Sequence, residues 1–256
     1  MTDFLKCARD LIPVVRAAGK IELDYFHSGT ETMDKADGSP VTLADQEAEK
    51  LIAAKLQALL PGVPMVGEES VAAGCIPDIT GGIFWLVDPL DGTREFITGS
   101  GDFTVNIALL EGFTPVLGII YAPVADELYY GAAGEAFMSL QGKPEQKISV
   151  RPAPEEGLTV VASKRHGDPE RLEDFLRGRK VARLIERSSS LKFCAIAAGM
   201  ADFYPRLGPT SEWDTAAGEA ILRAAGGQVT GLDGKPLVYG KSERKFLNPE
   251  FMASAA

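Results

Sequence analysis

Three observations predict an α/β (α+β) fold, a layered αβαβα sandwich. Two amphipathic stretches open the chain, short apolar runs then follow one another without helices between them, and the final hundred residues alternate strand with helix. The first half, 1–150, is expected to carry paired helices and an antiparallel sheet. The second half, 151–256, is expected to carry a mixed or parallel sheet with helices, and QGKPEQKISVRPAPEEG to connect the two.

The first helix is expected from about Asp3 to Phe26, because Phe4, Leu5, Ala8, Leu11, Ile12, Val15 and Ala18 fall near helical spacing. Pro13 should kink it. After the loop KADGSP, Thr42 sits in a capping position and Pro61 and Gly62 stop the segment. The stripe Ala44, Ala48, Leu51, Ile52, Leu56 and Leu59, with the stem of Lys55, makes this the second helix. From Gly82 the segments IFWLVD, FTVNIALLEG, TPVLGIIYAP, ELYYGAAG and EAFMSL read as an antiparallel meander. LTVVAS, VARLIERS, DFYPRL and QVTG then read as strands, separated by the helices DPERLEDFLRG, SLKFCAIAAGMA and TAAGEAILRAAGG.

Composition limits the function. A net charge of −10 opposes binding to nucleic acid. Three scattered cysteines, Cys7, Cys75 and Cys194, argue against a disulfide framework and for a reducing, cytoplasmic setting. Charges within MTDFLKCARDLIPVV disfavour a signal sequence, and no apolar run approaches the roughly 20 residues that span a bilayer. Peripheral attachment is left open, as is the choice between monomer and homodimer. With two histidines, a zinc site of the usual kind is nearly excluded, so any metal must be hard and bound by oxygen.

WLVDPLDGTREF places Asp88 and Asp91 three residues apart, after an apolar strand that Pro89 should end. Two carboxylates crowded on a turn repel one another unless a cation lies between them. The peptide oxygen of Leu90 offers a third ligand in an oxygen set suited to Mg²⁺. DPLDG is also an ordinary turn composition. GEES adds Glu68 and Glu69, which could equally form a surface acidic loop. Asp214, in SEWDTAAGEA, and Asp45, three residues after Thr42, each have an alternative as helix-capping residues.

Taken together, GEES, WLVDPLDGT and WDTAAGEA, in this order and at these separations, resemble the signature of the lithium-sensitive, magnesium-dependent phosphomonoesterases that include inositol monophosphatase. The resemblance covers nearly the whole chain. It implies that Glu68, Asp88, the Leu90 carbonyl and Asp91 bind a first Mg²⁺, that Asp88, Asp91 and Asp214 serve a second, and that Glu69 supports a third through water. It gives Asp45 and Thr93 the task of orienting and deprotonating the attacking water. Two such ions about 4 Å apart would acidify a bound water and neutralise phosphate and leaving oxygens, without a covalent nucleophile. Gly92 would let the backbone approach the phosphate. Inhibition by lithium is a further expectation of the resemblance.

SSLKFC, YPR, GPT before Trp213 and the terminal KFLNPEF further resemble the bacterial 3'(2'),5'-bisphosphate nucleotidase branch, the CysQ type. That implies adenosine 3',5'-bisphosphate, a by-product of sulfate assimilation, as the small-molecule partner, with AMP and phosphate as products. A second phosphate requires a metal-free anion site. Lys192 and Arg206, with Ser189 and Ser190, are the candidates, and Lys164 and His166, with Ser163 and Arg165, are further ribose or phosphate contacts. Asp214 adds to the substrate side as well as to the metals. Lys192 as a solvated side chain and Arg206 in an ion pair are the structural alternatives, while Trp213 and Cys194 read as packing residues. An inositol monophosphatase, or a cation- or nucleotide-binding regulator without turnover, are the competing functions. The presence of Asp45 and Thr93, which metal binding alone does not require, speaks against the regulator.

Overall fold

The computed structural model describes residues 2–29, 32–34, 40–163 and 168–255, without the side chains of 32–34, 40 and 41. The opening segment is two helices rather than one: α1 (Phe4–Asp10) and α2 (Ile12–Ser28), divided at Leu11. Pro13 lies in the first turn of α2, where a helix needs no N–H, so it starts a helix instead of kinking one. Two short antiparallel strands, β1 (Thr32–Asp34) and β2 (Pro40–Thr42), follow. Most of the expected loop KADGSP, residues 35–39, lies outside the described residues. In α3 (Leu43–Leu59) the cap is the expected one: Thr42 and Asp45 form a reciprocal capping box.

The seven-stranded sheet has the order β3 (Met65–Gly67), β4 (Ile83–Asp91), β5 (Thr104–Glu111), β6 (Thr114–Ala122), β7 (Glu127–Ala132), β8 (Glu135–Leu140) and β9 (Gln146–Ile148). From β4 to β9 it is the expected meander, but β3 pairs parallel to β4. Short helices α4 (Glu68–Ala72) and α5 (Thr93–Ile97) follow β3 and β4. The connecting segment is partly sheet, because β9 falls within it.

The second sheet has the order β11 (Val181–Glu186), β10 (Leu158–Ala162), β12 (Phe203–Arg206), β14 (Phe251–Ala255) and β13 (Gly227–Gly231). Its β11–β10–β12 part is parallel, and β14 runs antiparallel to both neighbours. The intervening helices are α6 (Pro169–Leu176), α7 (Leu191–Ala197) and α8 (Ala216–Ala224).

Five layers result. Trp85, Val87, Val105 and Ile107 turn to one side of the large sheet and pack with Ala8, Leu11, Val15, Ala48 and Ile52 of α1–α3. Their alternating neighbours Phe84, Leu86 and Ala108 face the other way, into a core shared with Phe193, Ile196, Ala217 and Ile221 of α7 and α8 and with Tyr204 and Phe251 of the second sheet. Burial on both faces explains why these strands read as nearly continuous apolar runs. On the far side of the second sheet, Phe175 of α6 stacks with Phe203 of β12, their rings 6.4 Å apart. The layered αβαβα sandwich is therefore the observed fold.

Small residues set the spacing of the middle layer. A Cβ at Gly118 on β6 would lie 2.2 Å from the Ala217 carbonyl oxygen, and one at Gly218 would lie 2.4 Å from the Phe193 ring. The Ala216–Ala217–Gly218 run thus lets α8 settle against both β6 and α7, with Asp214 just ahead of it.

Candidate metal centre and substrate cavity

β4 delivers Asp88 and Asp91, though not by ending at Pro89. The strand continues through Pro89, with Asp88 opposite Asn106 and Asp91 opposite Thr104, so β4 advances three residues while β5 advances two. This is a bulge, a place where a strand accommodates proline and re-aims its side chains. The parallel register sets Gly67 beside Val87, which brings Glu68 to the level of Asp88. Glu49 holds the start of α4 by accepting hydrogen bonds from the backbone N–H groups of Glu69 at 2.8 Å and Ser70 at 2.9 Å. A Cβ at Gly67 would come within 2.5 Å of that carboxylate, which accounts for the glycine.

Asp214 does not cap α8. Thr215 occupies the N-cap position, and Asp214 accepts at 2.9 Å from the Ser211 N–H instead. One carboxylate oxygen each from Glu68, Asp88 and Asp214 lies within 4.8 Å of the others. Burial first, then the charges of Asp91 and Glu68, hold the Asp214 carboxyl well above the usual carboxylate range. Three carboxylates with no imidazole among them form a hard, oxygen-only donor set, and a divalent cation would relieve the strain that their proximity imposes.

Asp91 stands apart from this trio. Its Oδ2 accepts from the Ser189 hydroxyl, from the Ser190 N–H at 3.0 Å and from Asn106 Nδ2 at 3.2 Å. The Ser190 hydroxyl donates at 2.7 Å to Asn106 Oδ1. Thr104 Oγ1 lies 2.6 Å from Ser189 Oγ. Ser189 and Ser190 therefore face Asp91 and Asn106, whereas their expected role was contact with an anion.

Asp45 is buried, and its Oδ2 accepts from the Thr42 N–H at 2.8 Å and the Thr42 hydroxyl at 2.7 Å. Its Oδ1 lies 3.4 Å from Thr93 Oγ1, whose single hydrogen is shared between that oxygen and the Leu90 carbonyl at 3.3 Å. Capping and proximity to Thr93 thus coexist in one side chain. Leu90 buries its side chain beneath the site, while Glu69 sits beside Glu68 in the first turn of α4. Gly92, at φ +103°, occupies the left-handed region and precedes α5, with the Asp102 carbonyl 3.0 Å from where a Cβ would stand.

Glu68, Asp91, Gly92, Thr93 and Asp214 line a cavity of about 250 Å³ that also contains Lys192 and Arg206. Lys192 is buried, donates to the Ser189 carbonyl and lies 5.3 Å from the Tyr204 ring centroid. Burial lowers its ammonium pKa to about 8, against the opposing pull of Asp91. Arg206 donates to the Pro209 carbonyl at 2.7 Å, while its buried Nε has no hydrogen-bond partner. The solvated alternative for Lys192 and the ion-pair alternative for Arg206 are both absent among the described residues. A second cavity of about 570 Å³ shares Ser163, Tyr204 and Arg206 with the first and is lined by Leu172, Leu184, Pro205 and Leu207. Lys164, Arg165 and His166 lie outside the described residues. Trp213 packs on Phe246 and Cys194 is buried in α7, both as packing residues.

Sequence reasoning missed Glu49, Thr104 and Asn106. The signals were present: Glu49 follows Asp45 by one helical turn, and TVN interrupts an otherwise apolar strand.

The Inositol monophosphatase family profile matches residues 4–254. A curated relative described as 3'(2'),5'-bisphosphate nucleotidase CysQ, from Escherichia coli strain K12, is 46% identical over 94% of this chain and 96% of its own. The crystal structure of CysQ from Bacteroides thetaiotaomicron, described as a bacterial member of the inositol monophosphatase family, superposes with a TM-score of 0.83 at 36% identity, covering 99% of this chain and 98% of its own. A Thermotoga maritima IMPase superposes with a TM-score of 0.74 at 25% identity, covering 95% and 89% of the two chains. The chain belongs to the inositol monophosphatase family.

Proposed function

We propose that the chain is a Mg²⁺-dependent 3'(2'),5'-bisphosphate nucleotidase that hydrolyses the 3'-phosphate of adenosine 3',5'-bisphosphate to AMP and phosphate. The observation that carries this reading is a cavity lined both by the carboxylates Glu68, Asp91 and Asp214 and by two cations, the buried Lys192 and the half-buried Arg206. A monophosphate needs only the acidic side and its metal. A buried ammonium and a guanidinium with an unpartnered Nε call for another anion, and a bisphosphate supplies it. The larger cavity opening beside Arg206 has an apolar lining suited to a base or ribose. The likeness to the Escherichia coli nucleotidase over almost the full chain supports the same substrate class.

Glu68, Asp88 and Asp214 would hold the cation, with Asp91, the Leu90 carbonyl and Glu69 completing the ligand set. Bound divalent cations supply Lewis acidity toward the phosphate oxygens and lower the pKa of a nearby water. Thr93 and Asp45 would orient a water at this site, and Asp45 Oδ1, the oxygen that does not serve the helix cap, would accept its proton. Lys192 and Arg206 fix the second phosphate. No helix among the described residues is long and apolar enough to cross a membrane, which agrees with action on a diffusible nucleotide.

Phosphate release should be measured in parallel on adenosine 3',5'-bisphosphate and inositol 1-phosphate, with Mg²⁺ and with excess chelator. The nucleotide is expected to be turned over at least tenfold faster, and only with Mg²⁺. Faster turnover of inositol 1-phosphate, or activity that survives chelation, would overturn the proposal.

A further inference from the structure

We propose that Asn106, Thr104 and Ser189 are positioning residues that hold Asp91 as a one-oxygen metal ligand and thereby set the affinity of the site for its divalent cation. The inference rests on the reading of the acidic cluster as a metal site and concerns groups outside it.

Three donors converge on one oxygen of Asp91: the Ser189 hydroxyl, the Ser190 N–H and Asn106 Nδ2. That leaves Oδ1, with no hydrogen bond among the described residues, available to a cation in the cavity that Asp91 lines. The orientation of the Asn106 amide is fixed by its other end, since Oδ1 accepts from the Ser190 hydroxyl and lies 3.0 Å from the Thr104 hydroxyl. Thr104 reaches Ser189 Oγ as well, so the four side chains form a closed set in which each constrains the next. Thr104, Asn106 and Ser190 are buried, where unmatched polar groups are costly and alternative partners few.

The backbone conforms to the same end. Ser189 adopts φ +54°, a region that residues with a side chain rarely occupy. In that conformation its hydroxyl and the following N–H reach the same carboxylate oxygen. The bulge supplies the other half, because the extra residue on β4 places Asp91 opposite Thr104 and within reach of Asn106. Two segments distant in sequence, β5 on one side and the lead into α7 on the other, thus meet at a single carboxylate. Groups that orient a ligating carboxylate typically change metal affinity ten- to a hundredfold when removed.

The test is direct calorimetric titration of chelator-treated protein with Mg²⁺, for the wild type, Ser189→Ala and Asn106→Leu, with a thermal melt of each in chelator. The expected result is Mg²⁺ binding by the wild type, and binding weakened by a factor of about ten to a hundred in both variants, with a metal-free melting temperature close to wild type for Ser189→Ala and a lowered one for Asn106→Leu. Ser189 is partly exposed and its truncation opens no core cavity, so Ser189→Ala decides the matter if Asn106→Leu does not fold. Wild-type affinity in the folded variants would overturn the positioning role. A wild type that binds no Mg²⁺ would overturn the metal-site reading beneath it.

Discussion

Glu219, in the first turn of α8, is a buried carboxyl whose oxygen accepts at 2.6 Å from the Tyr239 hydroxyl. Arg223 forms an ion pair with it at 4.0 Å, with about half of its own side chain exposed. Burial outweighs the hydrogen bond and the nearby positive charges, and raises the pKa from 4.5 to about 7. Between those values the folded chain holds a proton that the unfolded chain has released. The contribution to stability is therefore fully present below pH 4.5 and is lost as pH rises through about 7, a change on the order of 3 kcal/mol. Glu219→Gln keeps an acceptor for Tyr239 and cannot ionise. Its melting temperature should exceed that of wild type by several degrees at pH 8, and the two should converge near pH 5. Parallel curves across that range in scanning calorimetry would show that Glu219 does not titrate as a buried acid.

Packing of α8 against β6 is the element-scale feature that places Asp214. Gly118→Ala would set a methyl carbon 2.2 Å from the Ala217 carbonyl oxygen, a backbone atom that cannot turn aside. Overpacking of this kind costs roughly 1–3 kcal/mol. The helix must shift, and Asp214 with it, so a lower melting temperature should come with weaker Mg²⁺ binding. A variant that loses stability yet binds Mg²⁺ like wild type would uncouple the two. The sequence made α8 legible as a helix but not this contact, because a glycine in a strand records only that something passes close by. Much else was legible for a local reason: the Thr42–Asp45 cap is four residues long, and the meander shows in its turns. Strand direction and pairing are tertiary, so the parallel β3 and the closing strand β14 were missed, and Pro89 was read as a stop because the bulge that tolerates it depends on β5. In the site the acids declared themselves by motif, whereas Asn106 and Thr104 acquire meaning only where Ser189 arrives from 85 positions further along Thr104's chain.

At the scale of the whole molecule, the acidic trio joins separate layers. Glu68, just after the edge strand β3, and Asp88, on its neighbour β4, come from the large sheet, and Asp214 from the segment that leads α8 between the sheets. Without a cation their mutual repulsion pushes these layers apart, in a chain whose net charge is already −10. A cation that binds the folded chain and not the unfolded one must therefore stabilise the entire molecule, by about 2.7 kcal/mol at a hundred times its dissociation constant. For a domain of this size that corresponds to a rise of roughly 5–10 °C in melting temperature. The rise should be seen on adding Mg²⁺ to chelator-treated protein and should be reversed by chelator. Asp88→Asn removes one charge from the trio, so its metal-free form should melt at or above the wild-type temperature while its response to Mg²⁺ shrinks. The opposite pattern, a metal-free variant less stable than wild type with an undiminished Mg²⁺ response, would mean that the three carboxylates are held together by the fold alone and that no cation links the layers.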